Sequence, residues 1–120
     1  MNMPTKVDVG DATRDMLTSL ALGDPDMVAA GLEMRAEVRD RSGLDDRTYS
    51  LVKLAAIMAL DAPPTSYLWQ VANAIAAGAT PDDMLGVLIA IAPQIGGPRL
   101  TAAAPELMVA LGLSLPDGAS

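Results

Sequence analysis

The chain has 120 residues, a formal net charge of −7, and no Cys, His or Phe. These absences exclude disulfides, thiol redox chemistry, Cys/His zinc sites and every catalytic dyad or triad that contains a histidine. The acidic balance disfavours nucleic acid as a partner, and neither a signal peptide nor a membrane span is evident in the sequence. We therefore expect a soluble, cytoplasmic protein without a nucleic-acid or membrane partner.

The predicted elements are all helical, because caps and Pro or Gly breaks separate them and no apolar/polar alternation typical of strands occurs. The first short helix is predicted over about 12–22 and stops at Gly23. A second helix begins at Asp24-Pro25, continues to about Arg41 and ends near Gly43. We expect its apolar face to carry Met27, Ala30, Met34 and Val38, and Glu37 to pair with Arg41 across one turn.

The third predicted helix runs from Leu44 through Leu60, and its only charge after Ser50 is Lys53. A helix with so little charge must be covered on nearly all sides. The Pro- and Ser/Thr-rich residues 63–66 start a fourth helix, which is predicted to end at Gly78.

The last two predicted helices contain prolines. Thr80 is the expected N-cap of the fifth helix, and Asp83 is placed to complete a capping box. We expect this helix to kink or end at Pro93. The final stretch, about 98–111, contains Pro105 and is expected either as one helix or as two pieces.

Charged residues are unevenly distributed along the chain. Residues 1–49 hold sixteen of the twenty-three charged side chains, whereas residues 50–115 hold only six. A stretch with so few charges leaves apolar surface facing water unless copies of the chain cover it, which predicts an obligate homo-oligomer. The alternative is that the exposed face is merely Ala-rich. We predict a single helical domain over 11–115, between a flexible 1–10 and a frayed 116–120.

Three segments carry a family resemblance. They read LDDRTYSLVKLAAIMAL from Leu44, AIAAGATPDDMLGVL from Ala74 and APQIGGPRLTAAAPEL from Ala92. In this order and spacing the chain resembles the carboxymuconolactone decarboxylase and alkyl hydroperoxidase D-like family. The resemblance implies an all-α domain of about six helices that assembles with itself, as a homotrimer, a homohexamer or a larger ring with active sites near subunit contacts.

The functional residues of the hydroperoxidase-like branch do not carry over. The resemblance places that branch's Glu on Ser50, its two Cys on Pro63 and Ser66, and its His on Gln70. Without cysteine thiols the chain cannot reduce peroxides by this route. The His of the decarboxylase branch also falls on Gln70, whose amide takes no proton at neutral pH.

The polar residues that remain in this region are candidates for a small-ligand site. Ser66 and Gln70 lie four apart on one helix face and are expected, with Ser50, to bind a carbonyl or hydroxyl group. The alternative is that Ser66 or its neighbour caps the fourth helix and that Gln70 bonds a backbone group. Tyr67 and Trp69 either wall an apolar cavity or only pack.

If the protein is an enzyme, three residues are predicted to act without a cofactor or metal. Arg99 orients a substrate carboxylate, unless it pairs with Glu106 or Asp61 across an interface instead. Asp61, as a partly buried base, or Tyr67 moves protons in decarboxylation, lactone handling or isomerisation of a small carbonyl acid, unless Asp61 only caps the next helix. The second hypothesis is a non-catalytic homo-oligomer that binds a small ligand or serves as an assembly platform.

Overall fold

The computed structural model of the protein describes residues 6–22, 24 and 35–118. These residues form six helices: α1 (Asp11–Ala21), α2 (Arg35–Ser42), α3 (Asp46–Ala59), α4 (Pro64–Ala76), α5 (Pro81–Ile95) and α6 (Gly97–Ala110). The described part of the chain contains no strand, which confirms the all-α prediction. None of its helices combines the length and the apolar character that crossing a bilayer requires. The chain divides into two compact units, 1–42 and 43–120.

The first unit contains α1 and α2. The predicted pair between Glu37 and Arg41 is present, with 3.9 Å between the carboxylate and the guanidinium, and confirms the expected one-turn spacing. Val38 is half-buried, as expected for the apolar face of this helix. The predicted stop at Gly23 and the other expected members of that face, Met27, Ala30 and Met34, lie outside the described residues.

Helix α3 opens the second unit and has a capped start. The Asp45 carboxylate accepts a hydrogen bond from the backbone N–H of Thr48 at 2.7 Å, which satisfies one of the free donors of the first turn. The buried face of α3 repeats every four residues and consists of Ser50, Leu54 and Met58. Because only this face is fully buried, α3 is amphipathic rather than enclosed on all sides.

The core of the second unit lies among four helices. Helix α3 packs against α4, α5 and α6, and α6 packs against α4 and α5, whereas the described backbones of α4 and α5 make no close approach to each other. The two helices α3 and α6 therefore separate α4 from α5. The buried core residues are Leu54, Met58, Tyr67, Val71, Ala74, Ala79, Met84, Leu88, Ala103 and Leu107.

The capping box predicted at the start of α5 is present. The Thr80 hydroxyl accepts from the N–H of Asp83 at 3.2 Å, and the Asp83 carboxylate accepts from the N–H of Thr80 at 2.8 Å. Asp83 also accepts two hydrogen bonds from Arg47, at 2.5 and 3.1 Å. This bidentate ion pair joins the first turn of α3 to the first turn of α5.

The prolines inside the last two helices do not end them. Helix α5 continues through Pro93 to Ile95, so a helix end at Pro93 is wrong. A proline removes one N–H donor, and the freed carbonyl is that of Ile89, four residues earlier. Both residues are exposed, so water can bond this carbonyl. Helix α6 is likewise continuous through Pro105, which makes it one helix and not two pieces.

Candidate functional site

Ser66 and Gln70 lie one turn apart on α4, as predicted, and both are half-buried. Helix α4 has Pro63 as its N-cap and no side-chain capping bond, so the prediction that Ser66 or its neighbour caps this helix is wrong. Proline at the cap and first positions already fixes the backbone for a helix start without a side-chain acceptor. Ser66 thus keeps a hydroxyl that no cap uses.

The Gln70 side chain carries an unusual buried atom. Its Oε1 is shielded from solvent and has no hydrogen-bond partner in the described part of the chain. Over 90 per cent of buried polar groups in proteins are bonded, so an orphaned acceptor requires an explanation. Gln70 therefore accepts no bond from a backbone N–H through this atom, and the alternative that its side chain satisfies a backbone group stays a prediction for the amide NH₂.

Ser50 occupies the buried face of α3 and is 8% exposed. It lies nine residues, or about 13.5 Å, before the end of α3, whereas Gln70 lies six residues, or about 9 Å, after the start of α4. A short connection joins these two packed helices, whose line of contact is here called the α3–α4 seam, and the two distances differ by about 4.5 Å, nearly one helical turn.

The two aromatic residues of α4 have different environments. Tyr67 is 1% exposed and is one of the largest fully buried side chains of the core, whereas Trp69 is 64% exposed. The ring of Trp69 therefore walls no enclosed cavity within a single chain. Tyr67 therefore packs in the core, which was one of the two predicted alternatives. Trp69 neither packs in the core nor walls an enclosed cavity of the single chain.

Asp61 follows the last turn of α3 and is exposed. Its backbone φ is +54°, a left-handed conformation that side chains other than Asn, Asp and Gly rarely adopt. Its N–H bonds the Met58 carbonyl at 3.4 Å, which helps to close the helix end. Asp61 does not cap α4, because Pro63 holds that position, and its exposure does not match the partly buried base that the sequence predicts.

Arg99 lies in the first turn of α6, where its Nη1 donates a hydrogen bond to the Ala59 carbonyl at the end of α3. The last carbonyls of a helix have no partner within the helix and carry partial negative charge, so a guanidinium stabilises them. In residues 43–118, Arg99 makes no ion pair with Asp61 or Glu106. Within one chain Arg99 thus bonds backbone, and its pairing with Glu106 or Asp61 across an interface stays a prediction.

The pKa of Tyr67 depends on residues from other parts of the chain. Burial raises the pKa of the Tyr67 phenol, and the nearby carboxylates of Asp61 and Glu106 raise it further. The phenol therefore stays protonated at neutral pH and can donate a hydrogen bond but cannot act as a base. Sequence reasoning identified Glu106 only as a partner for Arg99; the available signal was that it is the sole carboxylate on α6.

The remaining candidates for a site are a metal-binding cluster and a surface depression. The described residues contain no group of three or more acidic side chains that could hold a metal ion. An open depression of about 390 Å³ lies in the first unit, and the predicted site residues do not line it. Its walls are Lys6, Val7, Val9, Arg14, Leu17, Thr18 and Ala21.

Comparison with known proteins gives one family. The model of the carboxymuconolactone decarboxylase family matches residues 25–107, which include α3, α4, α5 and most of α6. No curated protein and no solved structure matched the chain significantly. The match covers more than half of the chain and agrees with the resemblance in the three sequence segments. The chain belongs to the carboxymuconolactone decarboxylase family.

Proposed function

We propose that the protein binds a small oxygen-bearing molecule, an oxo acid, hydroxy acid or lactone, at the α3–α4 seam and does not reduce peroxides. Ser50, Ser66 and Gln70 are the residues that hold it by hydrogen bonds. The observation that carries the proposal is the buried Gln70 Oε1, which has no partner in the described part of the chain.

An unpaired buried acceptor costs roughly 1–3 kcal/mol of stability. A ligand O–H or N–H donated to Gln70 Oε1 recovers this energy, while the amide NH₂ of the same side chain can donate to a ligand carbonyl. Gln70 stands where the resemblance places the histidine of the reactive branches. An amide at that position retains hydrogen bonding and loses proton transfer, which favours binding over acid–base chemistry.

The chemistry of the chain supports the absence of peroxidase activity. Peroxide reduction by the route of the hydroperoxidase-like branch needs two thiols at the start of α4. The chain has no Cys at any position, and Pro63 and Ser66 occupy the two matched positions. A serine hydroxyl does not form a disulfide, so no reducing equivalents can be passed to a peroxide.

Ligand-dependent thermal stability tests this proposal. Oxo acids, hydroxy acids and lactones are added singly, and the midpoint of unfolding is measured for the full chain and for Gln70→Leu, with Asn73→Leu as a matched exposed amide on the same helix. We expect at least one compound to raise the midpoint in the parent and in Asn73→Leu but not in Gln70→Leu. Equal shifts in all three proteins, or no shift with any compound, contradict the proposal.

A cofactor-free lyase or isomerase acting on the same compounds is the second candidate. One observation favours it: the carboxylates of Asp61 and Glu106 raise the pKa of the buried Tyr67 phenol, so a proton donor and two carboxyl groups share one region. Arg99 bonds the end of α3, two residues before Asp61. The burial of Tyr67, at 1% exposure, is why binding is the first candidate.

Turnover assays separate the two candidates. Lactones and 3-oxo acids are followed with the parent chain and with Tyr67→Phe, Asp61→Asn and Arg99→Ala. Catalysis by these groups predicts measurable turnover that falls about 100-fold or more when the acting acid or base is removed. Turnover that is absent, or unchanged in all three variants, excludes this candidate and leaves the binding proposal intact.

A further inference from the structure

The depression in the first unit, here called the N-terminal depression, has walls from two parts of the chain. Four residues at three- and four-residue spacing on one side of α1, from Arg14 to Ala21, form one part. Lys6, Val7 and Val9 form the other part and come from the segment that precedes the helix. The volume of about 390 Å³ lies within the range of small-molecule sites in proteins.

The charges of residues 6–21 are segregated around this depression. Both basic residues of the segment, Lys6 and Arg14, line it, whereas its three acidic residues, Asp8, Asp11 and Asp15, are not among the described residues of the walls. Two basic and three acidic residues give the segment a net charge of −1, so its composition does not predict a positive wall. The positive wall results from the placement of the side chains, and it is complementary to an anion.

The hydrogen-bond donors of the walls are the two cationic groups. The Thr18 hydroxyl already donates to the Arg14 carbonyl at 2.8 Å. The Arg14 guanidinium lies 3.8 Å from the Asp11 carboxylate, and both side chains are more than 60% exposed. This distance is longer than a hydrogen bond, and such exposed pairs contribute little, so a bound anion can replace Asp11. The Lys6 ammonium and the Arg14 guanidinium are therefore the side-chain donors that a ligand would meet.

The rest of the walls is apolar. Val7, Val9 and Leu17 are 74%, 39% and 57% exposed, so an aliphatic chain that covers them removes apolar surface from water. From Arg14 to Ala21 the helix rises about 10.5 Å, which gives such a chain its length. At about 30 Å³ for each water-sized group, the depression holds roughly a dozen non-hydrogen atoms. This is the size of one short acyl chain and not of a two-chain lipid.

We propose that the N-terminal depression binds a free aliphatic carboxylate of medium chain length, with its carboxylate on Lys6 and Arg14 and its chain along Leu17 and Ala21. A guanidinium donates two parallel hydrogen bonds to a carboxylate, and the ammonium adds a third. An anionic bilayer is disfavoured as the source of the ligand, because the chain has a net charge of −7 and membrane-binding clusters need about four to eight cations. No residue of the α3–α4 seam lines the depression, so the proposed function does not depend on this site.

Isothermal titration calorimetry of the full chain tests the ligand class. Octanoate, below its micelle-forming concentration, is compared with 1-octanol, which lacks the negative charge, and with acetate, which lacks the chain. We expect octanoate to bind one-to-one with a negative heat-capacity change, and the other two compounds to bind at least about tenfold more weakly. Equal affinity for octanoate and either comparison compound overturns the proposal. So does the absence of octanoate binding, which is expected if another part of the chain or a second copy fills the depression.

Substitutions with matched controls test the named contacts. Lys6→Gln and Arg14→Gln are each expected to weaken octanoate binding about tenfold, whereas Arg41→Gln, at an exposed arginine of the same unit, leaves it within about twofold. Leu17→Ala is likewise expected to weaken binding, and Leu22→Ala, at a leucine that is 81% exposed and does not line the depression, is not. Far-UV circular dichroism confirms that the variants fold. Equal effects within either matched pair overturn the proposal.

Nuclear magnetic resonance of the ¹⁵N-labelled chain locates the bound octanoate. We expect its addition to shift the amide signals of residues 6–21 and to leave those of residues 43–118 in place. Octanoate binding should also be unchanged in Gln70→Leu. Shifts confined to residues 43–118, or loss of binding in Gln70→Leu, assign the octanoate to the second unit and overturn this proposal. The thermal-stability test of the α3–α4 seam uses other compounds, so its outcome is decided separately.

Discussion

The two units of the chain hold their helices in different ways. In the described part of the first unit, exposed side chains form loose ion pairs, such as Asp11 with Arg14 at 3.8 Å. In the second unit, ten apolar residues form one buried cluster without a charged member. Exposed pairs contribute about 0–1 kcal/mol each, whereas each buried Leu or Met contributes roughly 1.5–3 kcal/mol. The second unit therefore carries most of the stabilising contacts described.

The same comparison explains where the candidate site is found. Most described residues of the first unit are exposed, so a polar side chain there does not by itself indicate a functional site. Among the described residues of the second unit, Ser50 is the one buried residue outside the apolar cluster, and Gln70 holds an unpaired buried oxygen. Buried polar groups such as these reduce the stability of an apolar core, so they mark the positions at which a functional role is expected.

Truncation of the core has the largest expected effect. Leu54 is fully buried, so Leu54→Ala removes its contacts and leaves a cavity, which costs about 2–5 kcal/mol. Leu17→Ala on α1, where the side chain is 57% exposed, is expected to cost less than about 1 kcal/mol. Denaturation in guanidinium chloride measures both. Equal losses would show that the first unit contributes as much packing as the second.

Loss of the capping box at α5 is expected to have the next largest effect. Thr80→Ala removes the hydroxyl that accepts from the Asp83 N–H and costs about 0.5–2 kcal/mol. Thr101→Ala, at an exposed threonine inside α6, is the control and should change the stability little. If both variants lose the same stability, the capping bond does not stabilise the second unit.

The pH dependence of stability follows from the same cap. The Thr80 N–H, and then Arg47, hold the pKa of Asp83 below its ordinary value. A lowered pKa adds stability above the unfolded-state pKa, about 3.9, and this stability is lost as the pH falls through the folded-state value. Asp83→Asn should therefore be less stable than the parent at neutral pH and lose less on acidification. Parallel profiles of the two proteins would exclude this linkage.

Relief of backbone strain is expected to have a smaller effect of opposite sign. Asp61 adopts a φ of +54°, which costs roughly 1–2 kcal/mol for a residue with a Cβ, whereas Gly avoids this strain but loses about 0.5–1 kcal/mol more in backbone entropy on folding. Asp61→Gly should thus stabilise the second unit, whereas Asp82→Gly, in the first turn of α5, should destabilise it. A loss of stability in Asp61→Gly would show that its carboxylate makes contacts that outweigh the strain.

Features that depend on neighbours in sequence could be predicted. The cap at Thr80 is determined by residues within a few positions along the chain. The same holds for the helix ends at Gly43 and Gly78, both of which have a positive φ. Each of these signals is complete within one helix and its ends, so the packing of the unit does not alter it.

Features that depend on distant parts of the chain could not be predicted. Arg99 bonds a carbonyl forty residues earlier, and Glu106 influences Tyr67 from another helix. Sequence alone gave these charged groups several equivalent partners, and only the packing of α6 against α3 and α4 selects among them. The helix through Pro93 is a similar case, because exposure of the freed carbonyl decides whether a proline is tolerated.

Removal of an ion pair in the first unit has the smallest expected effect. Glu37→Gln removes the carboxylate that lies 3.9 Å from the Arg41 guanidinium, and both side chains are nearly half exposed. Water and salt screen such a pair, so the loss is expected to stay below about 0.5 kcal/mol and to vanish in 1 M NaCl. Denaturation of the parent and the variant at low and high salt measures this. A loss as large as that of Thr80→Ala would mean that charge, and not burial, stabilises the helices of the first unit.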